Sequence, residues 1–543
     1  VVRNRFLVPG GRFSHRPLPS REIFRPWSPR LVSSIAVLGV HVTMLCGIFG
    51  CMPQPEADDG TSAVAEGVDT GGSAVVAKAS IQAESIDSPA QAALAPPTAS
   101  SLTIAFTGAD LGILEPCGCT KGMLGGIGRR AAFIAAILPP GCRGLVLGTG
   151  GLAGRVDKSG KVIALDLLRY ETLLVALNEM GYQAVGLGPE ELGLGLERLR
   201  AAREIVDFPF VLTNVTVTHS TEKGSDDDGS DDWSPPFDAV HRITVAGDWD
   251  RGGGREASAL SVRLFGIIAP LRSAGLEAAG LRVEAPCDAL KRAVAGSPDA
   301  DLNVVLVYGS RDEARELSTA VPDPGLIIYS RPGAEPQIFD FGRKEGPLRL
   351  LSAGDRGRFV GLCTVTAGVD QTVTVTEARF EALDDSMLES DIVGFALLVY
   401  RERIRLEKIL EQMVDQEPHP TGDRYAGSAA CRECHPRTHA IFAGSRHAGA
   451  FTTLAAVKRD YDPGCIACHV VGFGYRGGFQ STESTPGLLG VGCEACHGPA
   501  GAHVEGGPPP DHRVECESCH DRHHSPGFDR EAAWKKITCI QED

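Results

Sequence analysis

VGCEACHGPAGAHVEGG, residues 491–507, puts two cysteines and a histidine into five positions and a second histidine six residues further on. The five-residue pattern recurs as Cys431-Arg-Glu-Cys434-His435, Cys465-Ile-Ala-Cys468-His469, Cys493-Glu-Ala-Cys496-His497 and Cys516-Glu-Ser-Cys519-His520. Around these motifs, from Tyr425 onward, Gly, Pro, Cys and His dominate and long apolar runs disappear. A segment of about 115 residues with so few large aliphatic side chains cannot fold around its own hydrocarbon. Something else must fill its centre.

Cys-x-x-Cys-His is the attachment pattern of c-type haem. Two thiols three residues apart form thioethers with the porphyrin's two vinyl groups, and the following histidine reaches the iron. Zinc ribbons and disulfides also use paired cysteines. Neither requires a histidine after every second one. Four covalently bound c-type haems are therefore expected, on Cys431, Cys434, Cys465, Cys468, Cys493, Cys496, Cys516 and Cys519, with His435, His469, His497 and His520 on iron. No methionine follows Met413, which excludes thioether ligation at the opposite axial position. His419, His439, His447, His503, His512, His523 and His524 are left. His447, His503 and His523 or His524 are the expected distal ligands; His512 reads as a surface residue, and His439 is open to either role.

The phrases YAGSAACRECH (425–435), SRHAGAFTTL (445–454), CHVVGFGYRGGF (468–479) and GCEACHGPAGAHV (492–504) resemble the multihaem cytochrome c family to which the tetrahaem electron carrier of ammonia oxidisers belongs. The resemblance implies redox partner proteins, distal ligation by His447 and His503, and one five-coordinate haem. It also implies that His503 serves a neighbouring haem rather than the one held by its own motif.

Upstream the texture differs. Short β-branched runs such as LTIAFTG (102–108), RGLVLG (143–148), LNVVLVYG (302–309) and GLIIYS (325–330) alternate with helical stretches. FVGLCTVTAG (359–368) and QTVTVTEARF (371–380) close the series. The pattern predicts an α/β domain over 101–388 ending in antiparallel strands, a linking helix over 389–418, and a small, mostly irregular or helical multihaem domain over 423–530. Residues 222–236 read as a solvated acidic loop. The α/β half resembles 5′-nucleotidase-type metallophosphatases, which implies a layered sandwich with two metals at strand ends. Yet Ala109, Leu111, Gly151, Gly188-Pro189-Glu190-Glu191, Tyr308 and Tyr329–Gly333 stand where that family places its ligand blocks. Two metals cannot be held without donors, so phosphoesterase activity is expected to be lost. One stretch, EPCGCTKGMLGGIGRR (115–130), keeps the family's Gly-Gly-x-x-Arg-Arg but adds Cys117 and Cys119. These are a candidate redox pair, or part of a structural disulfide with Cys142; Cys287 and Cys363 read as buried, inert thiols.

The N-terminal end reads as an address. Residues 1–30 carry seven arginines against Glu22 alone, and 31–50 are apolar and uncharged up to Cys51. This is a lipoprotein-type signal with Cys51 as the lipidation site, or an uncleaved membrane helix. Either places the rest in the periplasm or cell envelope, beyond a spacer over 51–100 too poor in large apolar groups to fold. A net charge of −16 argues against a general nucleic-acid binder. The leading expectation is a membrane-tethered tetrahaem electron-transfer protein with a docking or substrate-binding α/β domain. The alternative is an oxidoreductase acting on a small sulfur or nitrogen compound at Cys117/Cys119 or at an open haem. A hydrolase with an altered metal site is the weakest reading.

Overall fold

The computed structural model describes residues 101–116, 122–154, 164–217, 235–250, 256–270, 276, 280–343, 346–367, 373–414, 416–511, 515–521, 524–525 and 527–537. Residues 1–100 with Cys51, the pair Cys117 and Cys119, most of the acidic loop, His512 and His523 lie outside them.

Two six-stranded sheets form the α/β half. The first runs, edge to edge, Val373–Ala382, Phe359–Ala367, Ser101–Thr107, Gly144–Gly148, Ala184–Gly186 and Phe210–Val211. The second runs Pro336–Arg343, Gly346–Ala353, Gly325–Ser330, Leu302–Tyr308, Glu256–Ile268 and His241–Asp250. Central neighbours are parallel, and antiparallel strands sit at the margins, as in the register Ile104 with Leu145 on one side and Cys363 on the other.

The alternation of each strand assigns its two faces. Leu102, Ile104 and Phe106 meet Val262, Leu264, Leu302, Val304, Leu306 and Ile328 in the core between the sheets. Ala105 faces the opposite way, into a second core beneath the helices Ile127–Ile137 and Ala164–Glu179. Val305, Val307 and Ile327 face a third, beneath Pro286–Ala295 and Arg311–Glu316. The result is helix, sheet, sheet, helix: the layered sandwich expected from the sequence. Cys363 is buried as expected, but Cys287 is only half-buried, with its thiol donating to the Glu316 carbonyl at 3.4 Å. Cys142 is an exposed thiol.

The linking helix belongs to the α/β half. Asp391–Leu406 places Val393, Leu397, Tyr400 and Ile404 on one face, at spacings of four, three and four, and all four are buried in the core shared with Ala164–Glu179. It breaks at Lys408, whose backbone is left-handed (φ 51°), and a short turn of helix follows at Ile409–Met413.

Among the described residues the C-terminal segment is built from short pieces, none longer than eight residues. Its apolar cluster has six buried members: Phe451, Ile466, Val470, Val471, Phe479 and Leu488. Among the described residues, no helix is long and apolar enough to cross a membrane.

Candidate functional site

Parallel strands in layered α/β proteins deliver their functional loops at their carboxyl ends. Here those ends bring together the positions singled out in the sequence, from Ala109 to Ser330. The Tyr308 side chain fills the place. Its hydroxyl donates to Glu190 Oε1 at 2.6 Å, and the residue is almost fully buried. A Cβ at Gly151 would lie 2.5 Å from the Tyr308 ring and 2.8 Å from the Ala109 methyl. At Gly188 it would lie 2.9 Å from both that ring and Glu190 Oε2. Gly151 also takes φ +71°, in the left-handed region. The glycines and the tyrosine therefore fit one another.

Glu191 is wholly buried and serves the loops themselves. Its carboxylate accepts from the backbone N–H groups of Gly188 (2.6 Å), Ala153 (2.6 Å) and Gly151 (3.0 Å). Burial, and then the neighbouring Glu190, push its carboxyl up to about 7, with the three donors pulling the other way. Ser330 accepts from the Ala109 N–H at 2.9 Å and donates to the Gly354 carbonyl at 2.7 Å. Asp110, the acid within TGADLG, is fully buried in a two-pronged ion pair with Arg130. Among the described residues no cluster of three His, Cys, Asp or Glu side chains can hold a metal ion. Restoring an acid with Gly151→Asp is expected to cost about 1–3 kcal/mol through overpacking. Thermal denaturation checks the loss, and manganese-dependent phosphatase assays of the variant are expected to stay blank.

In the C-terminal segment the motifs interlock in pairs. Cys431 lies beside Cys493, and Cys468 beside Cys519. Glu494, buried inside the third motif, accepts from the backbone N–H groups of Ala426 (2.9 Å), Gly427 (2.7 Å) and Ala500 (2.8 Å). Ser428 Oγ accepts from Cys493 N–H at 3.1 Å. The first and third motifs are thus tied by polar contacts where an ordinary protein would use hydrocarbon. Asp462 caps the short helix Pro463–Ile466 that carries the second motif, accepting from Gly464 N–H at 2.9 Å.

Two motif imidazoles each lie close to a non-motif one. His435 and His503 have ring centroids 6.3 Å apart, and His447 and His520 are 6.2 Å apart. Two metal–imidazole bonds of roughly 2 Å each, plus the inner half of each ring, span about 6 Å. A metal-bound histidine characteristically donates its other ring N–H to an oxygen, which fixes the tautomer. Such partners are present: His503 Nδ1 to the Gly507 carbonyl (3.1 Å) and His469 Nδ1 to the Ala450 carbonyl (2.7 Å). His520 Nδ1 meets Ser525 Oγ (3.0 Å), and His524 Nδ1 meets Asp521 Oδ1 (2.8 Å). His520 also stacks on Phe528 at 4.6 Å. His419 is buried against Tyr425 and Tyr475, and His439 contacts Phe442. The donor set, the thiol spacing and the imidazole gaps fit a c-type haem.

The two halves meet along a seam that sequence reasoning missed. Glu115, in the loop after the first strand, pairs with Arg401 of the linking helix and with Arg459 beside the second motif (3.4 Å). Arg459 in turn pairs with the helix cap Asp462 at 2.9 Å. Pro116 and Gly122, which flank Cys117–Lys121 in sequence, lie on this seam. Only charge pattern could have signalled it, and isolated charges carry no address.

The solved structures similar to this chain include a 5′-nucleotidase precursor from Thermus thermophilus, at 18% identity and a TM-score of 0.42, over 64% of this chain and 68% of that one. The calcineurin-like phosphoesterase YfkN from Bacillus subtilis matches at 16% identity and a TM-score of 0.42, over 57% and 99%. Cytochrome c-554 of Nitrosomonas europaea is 36% identical over 90 residues, which span 38% of that protein's length. Residues 430–498 match the family of cytochrome c554 and c-prime, and this match covers the motifs that begin at Cys431, Cys465 and Cys493.

Proposed function

We propose that the chain is an exported tetrahaem c-type cytochrome that transfers electrons between partner proteins, with the α/β half as a docking or substrate-binding module. The observation that carries this reading is the pairing of motif and non-motif imidazoles, His435 with His503 and His447 with His520, at a two-bond metal span. Each haem, when bound, supplies a one-electron iron couple. The protein's part is positional. Thiols at i and i+3 of a helical turn lie on one side and fix each porphyrin edge. Nδ1–H groups held by carbonyl oxygens leave Nε2 bare toward the iron. The contacts of Glu494 and Ser428 make the first and third sites neighbours. Export and tethering through Cys51 or the apolar run 31–50 belong to the same proposal, supported by the sequence and by the extracytoplasmic setting in which c-type haem is attached.

A second reading follows from the family resemblance, which implies one five-coordinate haem. An iron with an open position can take a small ligand, which would make the chain an oxidoreductase. A haem-to-protein ratio, with reduced-minus-oxidised spectra with and without carbon monoxide, tests both. Four haems per chain are expected. A spectrum unmoved by carbon monoxide supports the carrier; a shift in a fraction of the haems supports the second reading. A colourless mature protein overturns both.

A further inference from the structure

The helix Asp391–Leu406 has a second apolar face. Among the described residues ten large apolar side chains stand exposed, and five of them, Leu388, Ile392, Phe395, Leu398 and Leu406, lie on this helix or just before it. Each is between 51% and 84% exposed. At 3.6 residues per turn, Ile392, Phe395 and Leu406 fall within about 60° of one another, with Leu398 at one margin. They point away from Val393, Leu397, Tyr400 and Ile404, which the α/β core already uses. Half-buried Val399 belongs to the same stripe. A helix that lined only its own core would be polar here. Scattered apolar residues on a surface need no explanation, but these are contiguous. Together they expose roughly 600 Å², the upper end of what a monomer leaves bare.

The charges of this face sit at its two ends. Glu389 and Asp391 are exposed at the start, Arg405 and Lys408 at the finish. Within one copy Glu389 reaches Arg129 (3.7 Å) and Arg405 reaches Glu402 (3.3 Å). Neither Asp391 nor Lys408 has an ion-pair partner among the described residues. An antiparallel helix of the same sequence sets acidic start against basic finish at both ends, and its macrodipole is opposed in the favourable sense. A lipid surface fits less well, because a chain of net charge −16 that leads with acids is repelled by an anionic leaflet.

We propose that this face pairs with the same face of a second copy, antiparallel about a two-fold axis beside Leu398 and Val399. Ile392 of one copy then meets Leu406 of the other, and Asp391 meets Lys408. A two-fold contact repeats every interaction, so the apolar area doubles to about 1,200 Å², the lower edge of a stable, specific interface. The inference goes beyond the electron-transfer reading and does not depend on it.

The test is sedimentation velocity of the holoprotein over a range of concentrations. A monomer–dimer equilibrium is expected for the wild type, and monomer alone for Phe395→Glu, which puts a charge at the centre of the contact. Asp391→Lys is expected to weaken the dimer about tenfold, since like charges then meet twice, and Asp391→Lys with Lys408→Glu to restore it. Circular dichroism and haem content, read on the same samples, establish that each variant is folded. A wild type that stays monomeric overturns the proposal; flotation with phosphatidylcholine vesicles, lost in Phe395→Glu, would then assign the face to lipid. A Phe395→Glu variant that dimerises like the wild type overturns it too, as does a double variant no tighter than Asp391→Lys.

Discussion

Chain produced where haem attachment is disabled is expected to keep residues 101 to about 413 folded while the segment beyond them becomes fully protease-sensitive. The two parts differ in what holds them. The helix-side core of the α/β half alone contains dozens of buried apolar side chains, from Ala105 to Ile409, joined by hydrogen-bonded sheets. Among its described residues the C-terminal segment has eight, and its helices are of eight residues or fewer. Ordering a residue costs on the order of 1–2 kcal/mol, and so small a cluster cannot offset that over the whole segment. Porphyrins supply the missing apolar mass, and thioethers restrict the unfolded chain. Limited proteolysis with mass spectrometry of the resistant fragment checks this. A haem-free chain protected to its C-terminal end would refute it.

Asp110→Ala is expected to destabilise the α/β half by about 3–5 kcal/mol, the cost of leaving a buried charge without its partner. Both members of the Asp110–Arg130 pair have 0% side-chain exposure. Arg130 also reaches the Tyr182 hydroxyl at 3.5 Å, which in turn meets Thr107 Oγ1 at 3.0 Å, so the loss would be felt at the end of the first strand. Replacing both members by apolar residues, Asp110→Leu with Arg130→Met, should recover much of the stability, since no charge is then left unpaired. Urea denaturation followed by circular dichroism reads both. A single variant as stable as wild type would mean that water reaches Arg130.

The haem sites were the most legible part of the sequence because the attachment chemistry is local: five adjacent residues specify the thiols and the proximal nitrogen. Distal assignments to His447 and His503 came from the histidines left outside the motifs, and the family resemblance pointed to the same two. The geometry that supports them depends on the first motif meeting the chain 68 residues later and on the last meeting it 73 residues earlier. In the α/β half, strand runs declared themselves by β-branched composition, and the missing metal donors could be read position by position. What fills their place could not. Tyr308 meets Glu190 across 118 residues, through the order of strands in two sheets. Cys287 was misjudged as buried because a thiol in a helix is apolar enough for either environment. The linking helix was seen as a connector, whereas Val393, Leu397, Tyr400 and Ile404 make it part of the α/β core.

Glu115 grips arginines on both sides, Arg401 on the α/β body and Arg459 on the cytochrome body, and the latter arginine holds the cap of the helix bearing Cys465. Such a strut ties the loop after the first strand to the helix that bears Cys465, so a haem held there would keep a nearly constant distance from that loop. Tunnelling across it would then respond to driving force and to the dielectric of the seam, and hardly at all to swinging of one lobe against the other.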